Sequence, residues 1–400
     1  MGSTKPRNVS KTKCIGILTA GGDCPGLNAA IRAITKAAIQ VYGIDVMGIE
    51  DGFRGLVENR VRPLKYGEMS GMLTLGGTIL GTSRDKPNKM RMGNKVLDMT
   101  GTAVENARSN GMDCVVCLGG GGTQKNALLL AEAGLDVMTL PKTIDNDVGG
   151  TDVSFGFDTA TWIATRAIDR LHTTATSHDR IIVVETMGHK TGWLALGSGI
   201  AGGADVILMP EIPYDIQAVS EFLLDRQRSF GKKFSIVAVA EGARSRVEVD
   251  SSARKKKAAK EKAPAAEDGT VDVDFHDYQL VKESLASRLA RQLQALTRTD
   301  ARVTSLGHVQ RGGEPTAHDR LLATALGVKA AELLAEGRYN VMVAARGTAC
   351  VPVPLTEVAG LRNVVPLDHL WIGAARRTGT NLGVGDRELK SLIAKAKSSG

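Results

Sequence analysis

CIGILTAGGDCPGLNAAIR, residues 14–32, decides the fold. Its first six residues, Cys14–Thr19, form an apolar run of the length of a buried strand. Ala20-Gly21-Gly22-Asp23-Cys24-Pro25-Gly26 then breaks the pattern ahead of a helix beginning near Leu27, with Ala30, Ile31, Ile34 and Ala38 on one face. Strand, glycine turn and helix N-terminus together make an anion cradle, because the turn exposes backbone N–H groups and the helix dipole adds partial positive charge. The turn matches neither GxGxxG nor the Walker pattern, so taken alone it reads equally as a tight βα turn.

Working outward, the same rhythm returns. Gly76-Gly77-Thr78-Ile79-Leu80-Gly81-Thr82-Ser83-Arg84 is a second glycine and hydroxyl cluster, ending in an arginine able to fork two phosphate oxygens. The strand Asp113–Leu118 runs into Gly119-Gly120-Gly121-Gly122-Thr123, with a helix expected from Gln124. Four consecutive glycines cost backbone entropy and return no packing. Three such turns, each read as following a strand, point to one crevice for a polyphosphate. The apolar run Val137–Leu140 ends in Pro141-Lys142-Thr143-Ile144-Asp145-Asn146-Asp147. Asp145 and Asp147 would share one side of an extended segment, which suits a shared metal or a split between proton acceptor and cation partner. An Asx-type turn is the alternative reading.

Strands at Ile181–Val184, Val206–Met209, Phe234–Ala240 and Arg302–Leu306 extend the pattern, with helices at Gly192–Ile200 and Tyr278–Leu296. Their ends offer Arg180, Met187-Gly188-His189, Glu211, Glu241 and His308 with Arg311, groups that hold a polyol and its phosphate. Two guanidinium groups beside His308, from Arg302 and Arg311, would be costly without an anion.

Composition bounds the alternatives. A chain of 400 residues, 42% hydrophobic and 24% charged, is long enough for two domains with real cores. Only 4% is aromatic against 46 glycines, which fits close backbone approach to phosphate better than a ring-lined cavity. The net charge of +8 invites a nucleic-acid partner, but Met1–Lys13 supplies four of those charges, and Ser245–Thr270 supplies two through seven bases against five acids. The rest is near neutral without an aromatic-basic stripe, so no nucleic acid is expected. Residues 1–13 read as a disordered basic tail, and 245–274 as a mobile basic loop. No apolar run reaches bilayer-spanning length and no secretory signal is evident, so the cytoplasm is the expected location and no membrane a partner. Five scattered cysteines make a poor disulfide framework; Cys114 and Cys117, three apart on an apolar strand, read as core.

Taken together, LTAGGDCPGLNAAIR (18–32), GGTILGTSR (76–84), PKTIDND (141–147), SHDRIIVVETMGH (177–189), PEIP (210–213), AEG (240–242) and LGHVQRGGEPTAHDR (306–320) resemble the 6-phosphofructokinases. The resemblance implies an α/β fold of two domains, each a largely parallel sheet sandwiched by helices, with the active site in the cleft. It assigns 14–156 plus 310–360 to a phosphoryl-donor domain and 157–309 plus 361–400 to a sugar-phosphate domain. It implies transfer of a phosphoryl group to O1 of fructose 6-phosphate, giving fructose 1,6-bisphosphate, with Mg²⁺. Asp145 would be the general base, Thr143 its neighbour at the substrate, and Arg84 the stabiliser of the transferred group. Arg180, Met187, Gly188, His189, Glu241, Arg302, His308 and Arg311 fall at sugar-phosphate positions. Gly22, Arg84, Asp85, Gly120, Gly121, Gly122, Thr123 and Lys142 would hold the donor, and Asp147 the metal. Arg180 and Arg302 reach a neighbouring subunit's site in this family, implying a homo-oligomer, dimer or tetramer. Allosteric control belongs to the family, although no motif here marks an effector.

The chain departs from the family pattern at two points. The donor turn usually reads Gly-Gly-Asp-Gly-Ser/Thr, with its Asp on Mg²⁺, and here that position is Gly121. The usual Met-Gly-Arg is Met187-Gly188-His189, leaving Lys190 as a substitute cation. These departures motivate a weakened sugar-phosphate sensor as a rival to the enzyme. For the donor, Gly122 leaves room for a nucleotide's α-phosphate where pyrophosphate users carry Asp, whereas Lys142 is the residue that steadies pyrophosphate. Steric exclusion joined to like-charge repulsion outweighs an added lysine, so ATP is expected over pyrophosphate.

Overall fold

The computed structural model describes residues 10–251 and 283–398. It divides into two compact units, one of residues up to Ile163 together with His308–Asn363, the other of Ala164–Gly307 together with residues from Val364 onward. In chain order the first unit contributes β1 (Cys14–Thr19), β2 (Asp45–Ile49), β3 (Val61–Pro63), β4 (Met90–Met92), β5 (Lys95–Leu97), β6 (Cys114–Gly119) and β7 (Val137–Pro141). The second contributes β8 (Ile181–Thr186), β9 (Val206–Leu208), β10 (Ser235–Ala240) and β11 (Ala301–Ser305), and β12 (Val341–Arg346) and β13 (Ala349–Pro354) return to the first.

The first unit's main sheet runs β13-β12-β7-β6-β1-β2-β3, parallel from β12 through β2 and antiparallel only at its edges. Strands covered on both faces should read as unbroken apolar runs, and β6, Cys-Val-Val-Cys-Leu-Gly, is buried along its whole length. Burial pushes the thiols of both Cys114 and Cys117 up, as core cysteines require. The helices Leu27–Ala37 and Ala317–Ala335 pack against each other in this unit. The second unit's sheet, β11-β8-β10-β9, is parallel throughout. Val183, Val206, Leu208, Val237 and Val239 fill its core with Leu289 and Leu293 of the helix Leu285–Thr297. The chain is an α/β protein, with helices and largely parallel sheets in both units.

Strand order locates the chemistry. From β1 the chain moves to β2 on one side, then crosses to β6 on the other and continues outward to β7. The carboxyl ends of β1 and β6 therefore flank a topological switch point, where open α/β sheets bind ligands.

Several sequence expectations need correction. The helix after β6 starts at Gly121, not Gln124, because Gly120 serves as its N-cap and accepts from the amides of Thr123 at 2.9 Å and Gln124 at 3.1 Å. Gly76–Arg84 follows the short 3₁₀ turn Met72–Thr74 rather than a strand. It joins the sheet by a bridge between Ala20 and Ser83. Asp145 and Asp147 do not share an extended segment, since Asn146 between them is left-handed at φ 50°. Residues 10–13 of the expected tail are packed: Lys11 N donates to Ala335 O at 3.0 Å, and the buried Thr12 hydroxyl bonds Leu334 O and the Tyr339 hydroxyl. Of the expected basic loop, 246–251 are helical, with Arg246 paired to Asp215 and Glu388. The remainder of tail and loop, and 278–282 of the expected helix Tyr278–Leu296, lie outside the described residues. Among the described residues, no helix is long and apolar enough to cross a membrane.

Candidate active site

The turn after β1 is fixed carbonyl by carbonyl. Ala20 O accepts from the Lys142 ammonium at 3.0 Å, Gly21 O from Thr82 Oγ1 at 2.7 Å, Gly22 O again from Lys142, and Asp23 O from an Arg311 guanidinium nitrogen at 3.0 Å. In a trans peptide the C=O and N–H point in opposite directions. Four consecutive anchored carbonyls therefore turn the amides of residues 21–24 away from those donors. The Gly21 amide is spent on Ser83 O at 2.8 Å. Gly21 adopts φ 84°, a conformation that favours glycine. A Cβ on Gly22 would lie 2.6 Å from Arg311, so the guanidinium packs where any side chain would be.

Beside this turn stands the helix Gly121–Glu132, whose first amides have no intrahelical partner. Nothing lies within 4 Å of where a Cβ on Gly121 or Gly122 would sit, so the helix N-terminus opens onto space. The loop Gly76–Arg84 is stitched to the helix Leu27–Ala37 by Asn28. That side chain donates to Leu75 O and Gly76 O at 3.1 Å each and accepts from Ile79 N at 2.9 Å. Arg84 at its end is exposed and, among the described residues, makes no hydrogen bond or ion pair. Asp85 is committed elsewhere. Arg54 takes both its oxygens, at 2.8 and 2.9 Å, and holds its carboxyl below the usual range.

The segment after β7 is a rigid turn. Asn146 Oδ1 accepts from Ser154 N at 2.9 Å, and Asn363 donates from its side chain to Asn146 O at 2.9 Å and from its backbone to Asp147 O at 3.0 Å. Ser154 Oγ donates to Thr143 O at 2.8 Å, and the Asp145 amide to Thr143 Oγ1 at 3.1 Å. Asn146 thus supplies the side-chain bond of the Asx-type turn considered for this segment. Asp145 and Thr143 are buried at 7% and 8% exposure, and Asp147 is half-buried. Among the described residues no three of His, Cys, Asp and Glu are grouped to hold a metal.

In the second unit the ends of adjacent strands β8 and β10 meet. The His189 amide donates to Glu241 Oε1 at 2.9 Å, and the Glu241 amide to Thr186 O at 2.9 Å. Gly188 is required by its surroundings, with φ 144° and a Cβ position 2.6 Å from Thr191 O. His189 and Lys190 are exposed and Met187 is half-buried. Below them Glu211 Oε1 accepts from the amides of Gly192 and Val365 at 3.0 Å each, and burial pushes its carboxyl up. Arg302 shares Asp300 with Arg180, whose Nε lies 2.7 Å from that carboxylate, so one acid stands against two guanidinium groups. His308 and Arg311 belong to the turn Gly307–Arg311, with Arg311 seated against Gly22.

Sequence reading missed Ser154, Asp300 and Asn363, because their roles depend on bonds to Asn146, Arg180 and Asp147 that leave no spacing pattern. It also missed a 670 Å³ cavity of the second unit, lined by scattered residues including Asp205, Arg226, Phe230 and Thr380.

A family model described as phosphofructokinase matches residues 14–334. An ATP-dependent 6-phosphofructokinase of Propionibacterium freudenreichii subsp. shermanii is 52% identical over 370 residues, which cover 92% of this chain and 99% of that relative. Another from Spirochaeta thermophila is 50% identical over 381 residues, covering 94% and 98%. Among solved structures, Pichia pastoris phosphofructokinase in the T-state superimposes with a TM-score of 0.72 at 30% identity, covering 98% of this chain and 40% of that one.

Proposed function

The chain belongs to the phosphofructokinase family, and from that premise we propose that it transfers the terminal phosphoryl group of ATP to O1 of fructose 6-phosphate. The observation that carries the donor is the open helix N-terminus at Gly121 and Gly122, where nothing lies within 4 Å of either Cβ position. A nucleotide's α-phosphate has room there, and amides without intrahelical partners to meet it. The names of both relatives support the same donor.

In this reading the first unit holds the donor. The amides around Gly22 and at Gly120–Gly122 face its phosphates with Thr123 beside them, and Arg84, free of ion pairs among the described residues, meets charge developing on the transferred group. Asp145 takes the proton of the sugar's 1-hydroxyl, and Thr143 holds the segment that carries it. Met187, Gly188, His189, Glu241, Arg180, Arg302, His308 and Arg311 serve the sugar phosphate, with Lys190 the cation beside His189. Magnesium suits the residues present. It takes one or two carboxylates, keeps waters and shares phosphate oxygens, so Asp147 alone would meet its needs without a three-residue cluster. When bound, it would neutralise charge on the donor's phosphates. β11, at the sheet edge with Arg302 exposed on it, supports a homo-oligomer in which Arg180 and Arg302 serve a neighbouring subunit's site. ATP and sugar phosphates are cytoplasmic metabolites, so that compartment follows.

The test is a pair of initial-rate series with fructose 6-phosphate and Mg²⁺, one with ATP and one with pyrophosphate, following fructose 1,6-bisphosphate. A higher kcat/KM with ATP is expected. A higher value with pyrophosphate reverses the donor assignment, and no bisphosphate with either donor removes the enzyme reading in favour of a sensor.

A further inference from the structure

We propose that Lys142 is a positioning residue: it holds the Ala20–Asp23 turn from inside the fold in the form that receives phosphate, and does not itself contact the phosphoryl donor. The inference rests on the donor reading above. Residue type alone places a lysine near polyphosphate and invites its assignment as a ligand. The geometry assigns it differently. Lys142 is 2% exposed, and its ammonium donates to the carbonyls of Ala20, at 3.0 Å, and of Gly22. Its own amide donates to Gly119 O at 3.1 Å. One residue just beyond β7 therefore ties the end of β6 through its backbone and reaches past it to the end of β1 through its side chain. These are the strand ends that flank the switch point.

Chemistry argues against a second task. A buried ammonium is tolerated only while its donors are satisfied, and burial already pushes the pKa of Lys142 down. Two of its three N–H groups are spent on these carbonyls, and swinging the ammonium out toward a phosphate would leave the buried Ala20 carbonyl and the part-buried Gly22 carbonyl without their donor. Arg311, donating to Asp23 O at 3.0 Å, acts on the far end of the same turn, so two cations hold three of its four carbonyls. Anchored in this way, the peptide units present N–H groups to an incoming anion with little reorganisation left to do. It follows that Lys142 does not discriminate between donors, since a shaped turn serves ATP and pyrophosphate alike.

The variants are Lys142→Met, which keeps length and loses the donors, and Lys142→Arg, which restores a cation. Amide hydrogen exchange over residues 18–27 is measured with no nucleotide present, and MgATP and fructose 6-phosphate kinetics alongside. Lys142→Met should raise exchange at 22–24 and KM for MgATP, each by about tenfold or more, and leave KM for fructose 6-phosphate within about twofold. Lys142→Arg should recover much of both. Unchanged exchange with a raised MgATP KM would overturn the proposal in favour of direct donor contact, and no change in either overturns it outright. Should Lys142→Met loosen the whole unit, Lys142→Arg decides: slow exchange at 22–24 supports the clamp and fast exchange there refutes it. If wild-type protein forms no bisphosphate the proposed function fails, yet the exchange comparison still tests Lys142.

Discussion

Replacing Gly122 with Asp separates donor binding from folding. Gly122 lies in the first turn of the helix Gly121–Glu132, has no positive φ, and has nothing within 4 Å of its Cβ position. The fold should therefore accept the side chain. Replacing glycine by aspartate inside a helix gains about 0.3 kcal/mol of propensity, and an acid in the first turn gains a further ~0.3–1 kcal/mol from the dipole. The melting temperature should hold or rise. ATP faces the opposite balance. Two unit charges roughly 4 Å apart repel by about 1 kcal/mol in water-like surroundings and about 4 kcal/mol at an effective dielectric near 20. Binding should fall by between about fivefold and about 10³-fold, before any steric exclusion is added. Initial rates with ATP at saturating fructose 6-phosphate, paired with thermal unfolding, read both effects. A melting temperature lowered by several degrees would show that the site is not open. Unchanged ATP kinetics in a stable variant would show that the donor does not lie along this helix terminus.

Other expectations follow from single groups. Asp145→Ser should lower kcat by about 10²–10⁴-fold while KM for fructose 6-phosphate changes little, because a general base acts in the transition state; near wild-type turnover excludes the role. Asp319 is fully buried and accepts from Gly156 N, Thr159 N and the Thr159 hydroxyl at 2.9, 2.9 and 2.6 Å, so Asp319→Ala should cost about 2–4 kcal/mol of stability by denaturant titration. His369 packs edge-on to Trp193 and Trp371, accepts at Nδ1 from Trp371 N at 3.2 Å, and burial lowers its pKa despite Asp368. A base with a lowered folded pKa contributes stability present above its unfolded pKa, near 6.5, and lost as pH falls through the folded value. Thermal unfolding followed by tryptophan fluorescence should show that acid loss, and His369→Gln should flatten it.

Why some of this was legible from sequence and some was not follows from the range of the forces involved. Cys14–Thr19 was readable as a strand because burial on both faces demands an unbroken apolar run, a property of six adjacent residues. The helix at Leu27 was readable because its large apolar residues, Leu27, Ile31 and Ile34, recur at helical spacing. The helix start at Gly121 was not, because glycine carries no apolar signal and its first-turn role depends on Gly120 accepting from Thr123 and Gln124. Sheet order was not readable either. That β6 lies beside β1 is decided by packing over some hundred residues of separation. Arg311 and Lys142 show the consequence for the site. Both could be assigned near phosphate from residue type, since a guanidinium or ammonium among glycines has few other uses. Which way each points depends on which carbonyls surround it, and those belong to a turn more than a hundred residues earlier in the chain. A cation's sequence position thus identifies its neighbourhood, while only three-dimensional placement separates a ligand for the substrate from a support for the backbone that binds it.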